Sequence, residues 1–171
     1  MSFALRKADP DRDAAALLEI YRPFVEGSTT SFEVVAPSIA EFAERIRAAQ
    51  RAHEWLVAAE GDELLGYAYG GTHRMREAYR HTVEVSVYVG AGGRGRGIGR
   101  ALYERLFEVL AAQGHCNAVA GITLPNDPSV LFHEQLGFTP IGVFHGVGFK
   151  FGAWRDVAWY ERRLRAGAPG A

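Results

Sequence analysis

Residues 82–110, TVEVSVYVGAGGRGRGIGRALYERLFEVL, decide how this chain is read. In the first eight, Val83, Val85, Val87 and Val89 alternate strictly with Thr82, Glu84, Ser86 and Tyr88. A period of two built on β-branched residues predicts a strand with one buried face. Gly90, Gly92, Gly93, Gly95, Gly97 and Gly99 follow, interleaved with Arg94, Arg96 and Arg100. From Ile98 the apolar positions take helical spacing, through Leu102, Leu106, Val109 and Leu110. A strand therefore runs through a glycine-arginine turn into a helix N-terminus. Free amides, the positive end of the helix dipole and guanidinium charge converge there, which predicts an anion site, for phosphate above all.

Outside this stretch the chain reads as an alternation of strands and helices. Residues 3–7 predict a short strand, and Asp9-Pro10 opens a helix through Phe24. GSTTSF (27–32) is a loop, and Pro37-Ser38 opens a second helix whose stripe is Ile39, Phe42, Ile46 and Ala49. Strands 55–59 and 64–69 flank a turn at Gly61-Asp62, and 70–79 is a loop rich in Arg and His. After the central helix come a strand at 118–123, a loop LPNDP (124–128) and a short helix 129–136 closed by Gly137. A strand to Phe144, an aromatic and glycine loop 149–154 and a last strand 156–163 complete the pattern. The order β-α-α-β-β-β-α-β-α-β-β predicts an α+β fold with a single mixed, mostly antiparallel central sheet flanked by helices. Residues 1–165 read as one domain and 166–171 as a disordered tail.

At 171 residues the chain has room for one domain that buries about 70% of its unfolded surface. The formal net charge is -1, yet Arg74, Arg76, Arg80, Arg94, Arg96, Arg100 and Arg105 face only Glu77, Glu84 and Glu104 across 74–105. A local basic patch on a near-neutral chain suits a small anion better than a nucleic-acid track. The single Cys116 excludes an internal disulfide framework and a cysteine-based metal cluster, and predicts a reducing, cytoplasmic setting. No apolar run reaches membrane-spanning length, and residues 1–7 lack the apolar core of a signal peptide. The six histidines show no paired ligand spacing, so no metal is expected.

Three kinds of phosphate-binding turn compete for the glycine loop. Residues 90–95, GAGGRG, match GxGxxG, but a dinucleotide fold also needs an acid about 20 residues on at the end of the next strand. That strand ends at Ile122-Thr123 and the first acid beyond it is Asp127. A Walker loop needs GK[ST], and the only lysines are Lys7 and Lys150. The third kind fits: RGRGIGRAL (94–102) resembles the R/Q-x-x-G-x-G/A turn of the GNAT acetyltransferase superfamily, and FHEQLGF (132–138) resembles that superfamily's FYExLGF helix end. STTSFE (28–33), TVEVSVYV (82–89), LPNDPSV (124–130) and GFKFGAWRDV (148–157) narrow the resemblance to the phosphinothricin N-acetyltransferase group, over nearly the whole chain.

The resemblance implies an acetyl-CoA-dependent N-acetyltransferase. Its acceptor would be the α-amino group of a small amino-acid-like compound such as phosphinothricin, methionine sulfoximine or methionine sulfone. It implies cofactor contacts at Val87, Tyr88, Val89, Arg94, Gly95, Arg96, Gly97, Ile98, Gly99, Arg100 and Asn126. Glu84, which alternation alone reads as an exposed glutamate on an antiparallel sheet, becomes the general base. His133, otherwise a packed helix histidine, becomes the candidate proton donor to the thiolate. Substrate selection is expected from Phe32 and Glu33, from Arg74, Arg76, Glu77, Ala78 and Tyr79, and from Val85 and Ser86, with Arg74 or Arg76 on a carboxylate. The family also implies a homodimer, with aromatics near 144–154 at the interface. A GNAT enzyme for another amine (a protein N-terminus, polyamine or aminoglycoside) and a non-catalytic acyl-CoA sensor stay open at this point.

Overall fold

The computed structural model describes residues 3–167. Seven strands form one sheet in the order β1-β2-β3-β4-β5-β7-β6. They are β1 (Ala4–Lys7), β2 (Trp55–Glu60), β3 (Glu63–Thr72), β4 (Thr82–Val89), β5 (Asn117–Thr123), β6 (Thr139–Lys150) and β7 (Ala153–Arg163). The helices are α1 (Pro10–Glu26), α2 (Ile39–Ala52), α3 (Ile98–Ala112) and α4 (Asp127–Gln135). Every pairing is antiparallel except that of β4 with β5. The expected element order and mixed sheet are therefore present. Of the tail expected at 166–171, residues 168–171 lie outside the described ones.

Helix boundaries follow the capping chemistry. The Asp9 carboxylate accepts the Asp11 and Arg12 amides at the start of α1, with Pro10 in the first turn. Ser38 and Glu41 form a reciprocal capping box at α2. Ile39, expected in the α2 stripe, is 54% exposed because it precedes the turn that reaches the sheet; Phe42 and Ile46 are buried as expected. The loop read at 70–79 is shorter, since β3 continues to Thr72 and a short 3-10 turn occupies Glu77–Tyr79. The loop read at 149–154 is only the two-residue turn Phe151-Gly152, both with left-handed backbone, joining long strands β6 and β7.

The sheet is covered on both faces, which corrects the reading of β4 as a strand with one buried face. Val83 and Val85 pack under α3 with Leu102, Leu106 and Leu110. On the opposite face Tyr88 joins Tyr67, Tyr21 and Phe42 beneath α1 and α2. Alternation reports two environments here, and polarity alone mislabels the second because tyrosine is amphipathic. Leu17, Leu18, Val25, Phe42 and Ile46 are all buried beneath these helices, each contributing about 1.5–3 kcal/mol of transfer free energy.

Candidate active site

The site is opened by the one parallel pair. β4 and β5 pair only at Thr82↔Asn117, Val83↔Ala118 and Glu84↔Val119. Beyond Glu84 the two strands separate, and the β5-facing edge of β4 from Val85 to Val89 has no strand partner among the described residues. A cavity of about 740 Å³ fills the gap. It is lined from the α3 face by Val85, Val87, Val89, Tyr103 and His133, and from the other face by Ser86, Tyr88, Phe24 and Thr30. The cavity thus passes through the sheet, reaching both faces at one break in the hydrogen-bond ladder.

At one end of the cavity the glycine turn meets α3. Gly97 is the helix N-cap with φ 75°, Gly95 has φ 72°, and no side chain caps the helix. A left-handed cap without a side-chain acceptor leaves the first-turn amides of Ile98, Gly99 and Arg100 facing the cavity without an intrahelical partner. Gly93 is needed for a different reason: a Cβ there would lie 2.7 Å from the Leu65 carbonyl. Arg94, Gly95, Gly97, Ile98, Gly99 and Arg100 line the cavity, as does Asn126. Arg96 points away, its guanidinium 3.0 Å from Glu60 and its other nitrogen on the Gly92 carbonyl. Asn126 caps α4 by accepting the Ser129 amide at 3.3 Å.

Glu84 lies beside the gap on the α1/α2 face, with its side chain 42% exposed. Across the β3–β4 pair it faces Gly71, which contributes no side chain and leaves the carboxylate approachable. Burial raises the Glu84 pKa above the ordinary carboxylate value, while the charges of His73 and Arg74 pull it back in part. His133, by contrast, is buried on the α3 face. Its Nδ1–H donates to the Ser129 carbonyl at 2.7 Å, and its Nε2 lies 3.3 Å from the Tyr103 hydroxyl, which donates to it. Burial lowers the His133 pKa, so the ring is a neutral acceptor.

The expected substrate residues divide. Val85 and Ser86 line the cavity. Phe32 lies over Gly148 of β6, where no side chain would fit. Glu33 is paired with Arg45 of α2. Arg74, Arg76, Glu77, Ala78 and Tyr79 are exposed, with Glu77 paired to Arg80 at 3.3 Å. Tyr103, Gly121, Phe24 and Thr30 line the cavity without having been singled out in the sequence. For Tyr103 the one available signal is a hydroxyl on the inward face of α3, next to Leu102 and Leu106. Among the described residues no group of three or more His, Cys, Asp or Glu side chains is placed to hold a metal. No described helix is long and apolar enough to cross a membrane.

An uncapped helix start, an unpaired strand edge and a trans-sheet cavity together fit a long ligand with an anionic diphosphate and an amide-bearing arm. The model of the acetyltransferase (GNAT) domain matches residues 7–159. The chain is 38% identical over 157 residues to a phosphinothricin N-acetyltransferase of Streptomyces viridochromogenes, covering 92% of this chain and 86% of that one. It is 36% identical over 166 residues to an L-methionine sulfoximine/L-methionine sulfone acetyltransferase of Pseudomonas paraeruginosa, covering 96% of each. A GNAT superfamily phosphinothricin acetyltransferase from Sinorhizobium meliloti, solved in complex with acetyl-CoA, superposes with a TM-score of 0.90 at 36% identity, over 96% of this chain and 89% of that one.

Proposed function

Because the chain belongs to the GNAT acetyltransferase family, we propose that its acceptor is the α-amino group of a small amino-acid-like compound of the phosphinothricin, methionine sulfoximine or methionine sulfone type. It is an acetyl-CoA-dependent N-acetyltransferase. When bound, acetyl-CoA supplies an acyl thioester whose carbonyl is open to attack by an amine. The residues that would hold it are the amides of 95–100 at the diphosphate, the β4 main chain at Val87 and Val89 along the arm, and Arg94 and Arg100 as charge.

The observation that carries this reading is the trans-sheet gap. It gives the acceptor its own way in, on the face bearing Glu84, Ser86 and the α1–α2 loop. An amine arrives as ammonium and becomes a nucleophile only on losing a proton. Glu84, raised by burial and left open by Gly71, takes that proton directly or through one water. A β4 amide near Val87, on the edge that β5 does not pair, polarises the acyl oxygen. The neutral His133 is an orienting acceptor for Tyr103, whose hydroxyl it holds at the cavity.

The test is a thiol-release assay with acetyl-CoA and a panel of amines, beside calorimetry of acetyl-CoA. Methionine sulfoximine and phosphinothricin are expected to outpace polyamines and aminoglycosides by at least tenfold in kcat/KM. Glu84→Gln should bind acetyl-CoA within about twofold of the parent while losing on the order of 10²–10⁴ in turnover at neutral pH. Unchanged turnover removes Glu84 from this role, and no uptake of acetyl-CoA by folded protein removes the reading. The long edge strand β6 exposes Ile141, Val143, Phe144, Val147 and Phe149, and Trp154 adjoins them on β7. An edge of that length and apolarity supports a second copy of the chain as its cover, with sedimentation expected to give a dimer.

A further inference from the structure

His73 lies immediately beyond β3, where the register Gly71↔Glu84 and Thr72↔Val83 brings the chain back alongside the expected base. Its side chain is 16% exposed. The ring is held edge-to-face between Tyr79 and Trp159, with centroids 6.0 Å and 5.8 Å away. Nδ1 is buried, has no hydrogen-bond partner among the described residues, and stands 3.8 Å from Glu84 Oε2. That separation is too long for a hydrogen bond and short enough for an ion pair. Trp159 in turn covers Gly121, one of the residues lining the cavity, which sets the His73 ring one side chain away from it. The other titratable or charged groups facing Glu84 are Arg74 in the same segment and Tyr69 on β3. An orphaned ring nitrogen aimed at a carboxylate is costly unless a proton comes to lie between them.

We propose that His73 is the positioning partner of Glu84, whose Nδ1 receives the proton that Glu84 removes from the acceptor ammonium. The bookkeeping closes without another reagent. An N–H bond of the ammonium breaks and its electron pair stays on nitrogen. The proton forms O–H on Glu84; once the carboxyl turns into hydrogen-bond reach of the ring, N–H forms on His73 Nδ1 as the O–H bond breaks. The pair ends as carboxylate and imidazolium, and the imidazolium returns its proton to solvent after turnover. The assignment rests on Glu84 being the base, and its test separates the two.

Carboxyl ¹³C and imidazole ¹⁵N shifts are followed by NMR against pH in the protein without acetyl-CoA, for the parent, His73→Asn, His73→Phe and Glu84→Gln. An imidazolium favours ionised Glu84, so removing it should move the Glu84 midpoint up by about one pH unit. Loss of the acceptor ring should also lower kcat for methionine sulfoximine on the order of tenfold at neutral pH, with the KM for acetyl-CoA unchanged within twofold. A Glu84 midpoint that stays put in folded His73→Phe, which keeps a ring in the slot, overturns the proposal. So does a His73 ring whose titration in the full-length parent is the same with and without Glu84→Gln, a comparison that needs no change at His73. Full turnover by Glu84→Gln overturns the base assignment and the proposal with it, whereas a steep loss there beside an unmoved Glu84 midpoint in His73→Phe overturns the proposal alone.

Discussion

His133 lines the cavity and Glu84 lies beside it on the opposite face of the sheet, and their surroundings suit them to different roles. The glutamate is half-exposed beside a glycine and raised by burial; the histidine is buried, neutral and bonded at both nitrogens. His133→Phe should therefore cost about 1–3 kcal/mol in urea melts, because it orphans the buried Tyr103 hydroxyl. Turnover per folded molecule should stay within twofold. A hundredfold fall in turnover without a matching loss of stability would make His133 the acid instead. At this scale the sequence was legible where periodicity applied. Alternation placed Glu84 mid-strand beside Ser86, and the helix-end motif placed His133. It gave no hold on His73, which sits in an aperiodic arginine-rich segment and meets Glu84 only through strand pairing. Arg96 misled for a related reason: spacing counts it among the anion-binding arginines, but its side chain turns back to Glu60.

Among the elements, the turn entering α3 supplies most of the proposed contacts to acetyl-CoA. Gly97 has room around a would-be Cβ but a left-handed backbone, so a side chain there is penalised by conformation alone. Gly97→Ala should cost about 1–2 kcal/mol of stability. It should also weaken acetyl-CoA binding several-fold by calorimetry, as the first-turn amides swing off their aim. Gly152→Ala, at φ 72° in the remote β6–β7 turn, imposes comparable strain and should leave acetyl-CoA binding alone. The elements of the strand-turn-helix unit were readable because each has its own periodicity, though not the burial of β4 on both faces. The β6–β7 hairpin was not, since its strands are irregular. Register shifts at Pro140/Gly142 and Phe144/Gly148 break the alternation, and Asp156 holds the second by accepting the Gly146 amide at 2.8 Å. Lys150, one of only two lysines, is buried there and donates to the Val25 and Ser31 carbonyls at 2.6 Å and 2.7 Å, tying the hairpin to the end of α1 and the loop after it. No local pattern announces a contact between segments so far apart in the chain.

For the molecule as a whole, acid is the direction of weakness. Burial alone would raise the Asp13 pKa, but Arg6, the Asp9 amide and Arg12 outweigh it and hold it at about 2, against 3.8 unperturbed. A carboxylate lowered in this way stabilises the fold fully above about pH 4 and loses that contribution as pH falls toward 2, on the order of 2 kcal/mol. His53, buried against His115 with Nδ1 and Nε2 3.2 Å apart, is pushed down to about 4 by burial and by its neighbour. A histidine kept neutral in the fold but protonated when unfolded destabilises progressively as pH drops from about 6.5 to 4. Thermal melts should thus decline in two stages, first between pH 6.5 and 4 and again below 4. Asp13→Asn should lower the plateau and flatten only the second stage.

The break in the ladder beyond Glu84 has a further implication for how the two reactants meet. A doorway with an entrance on each side lets donor and acceptor be resident together, neither having to vacate for the other. Such a layout has no need to park the acyl group on a side chain between visits, and the lone thiol, Cys116, is walled off in the interior. The missing rungs of the sheet are thus in keeping with the proposed direct transfer within a ternary complex.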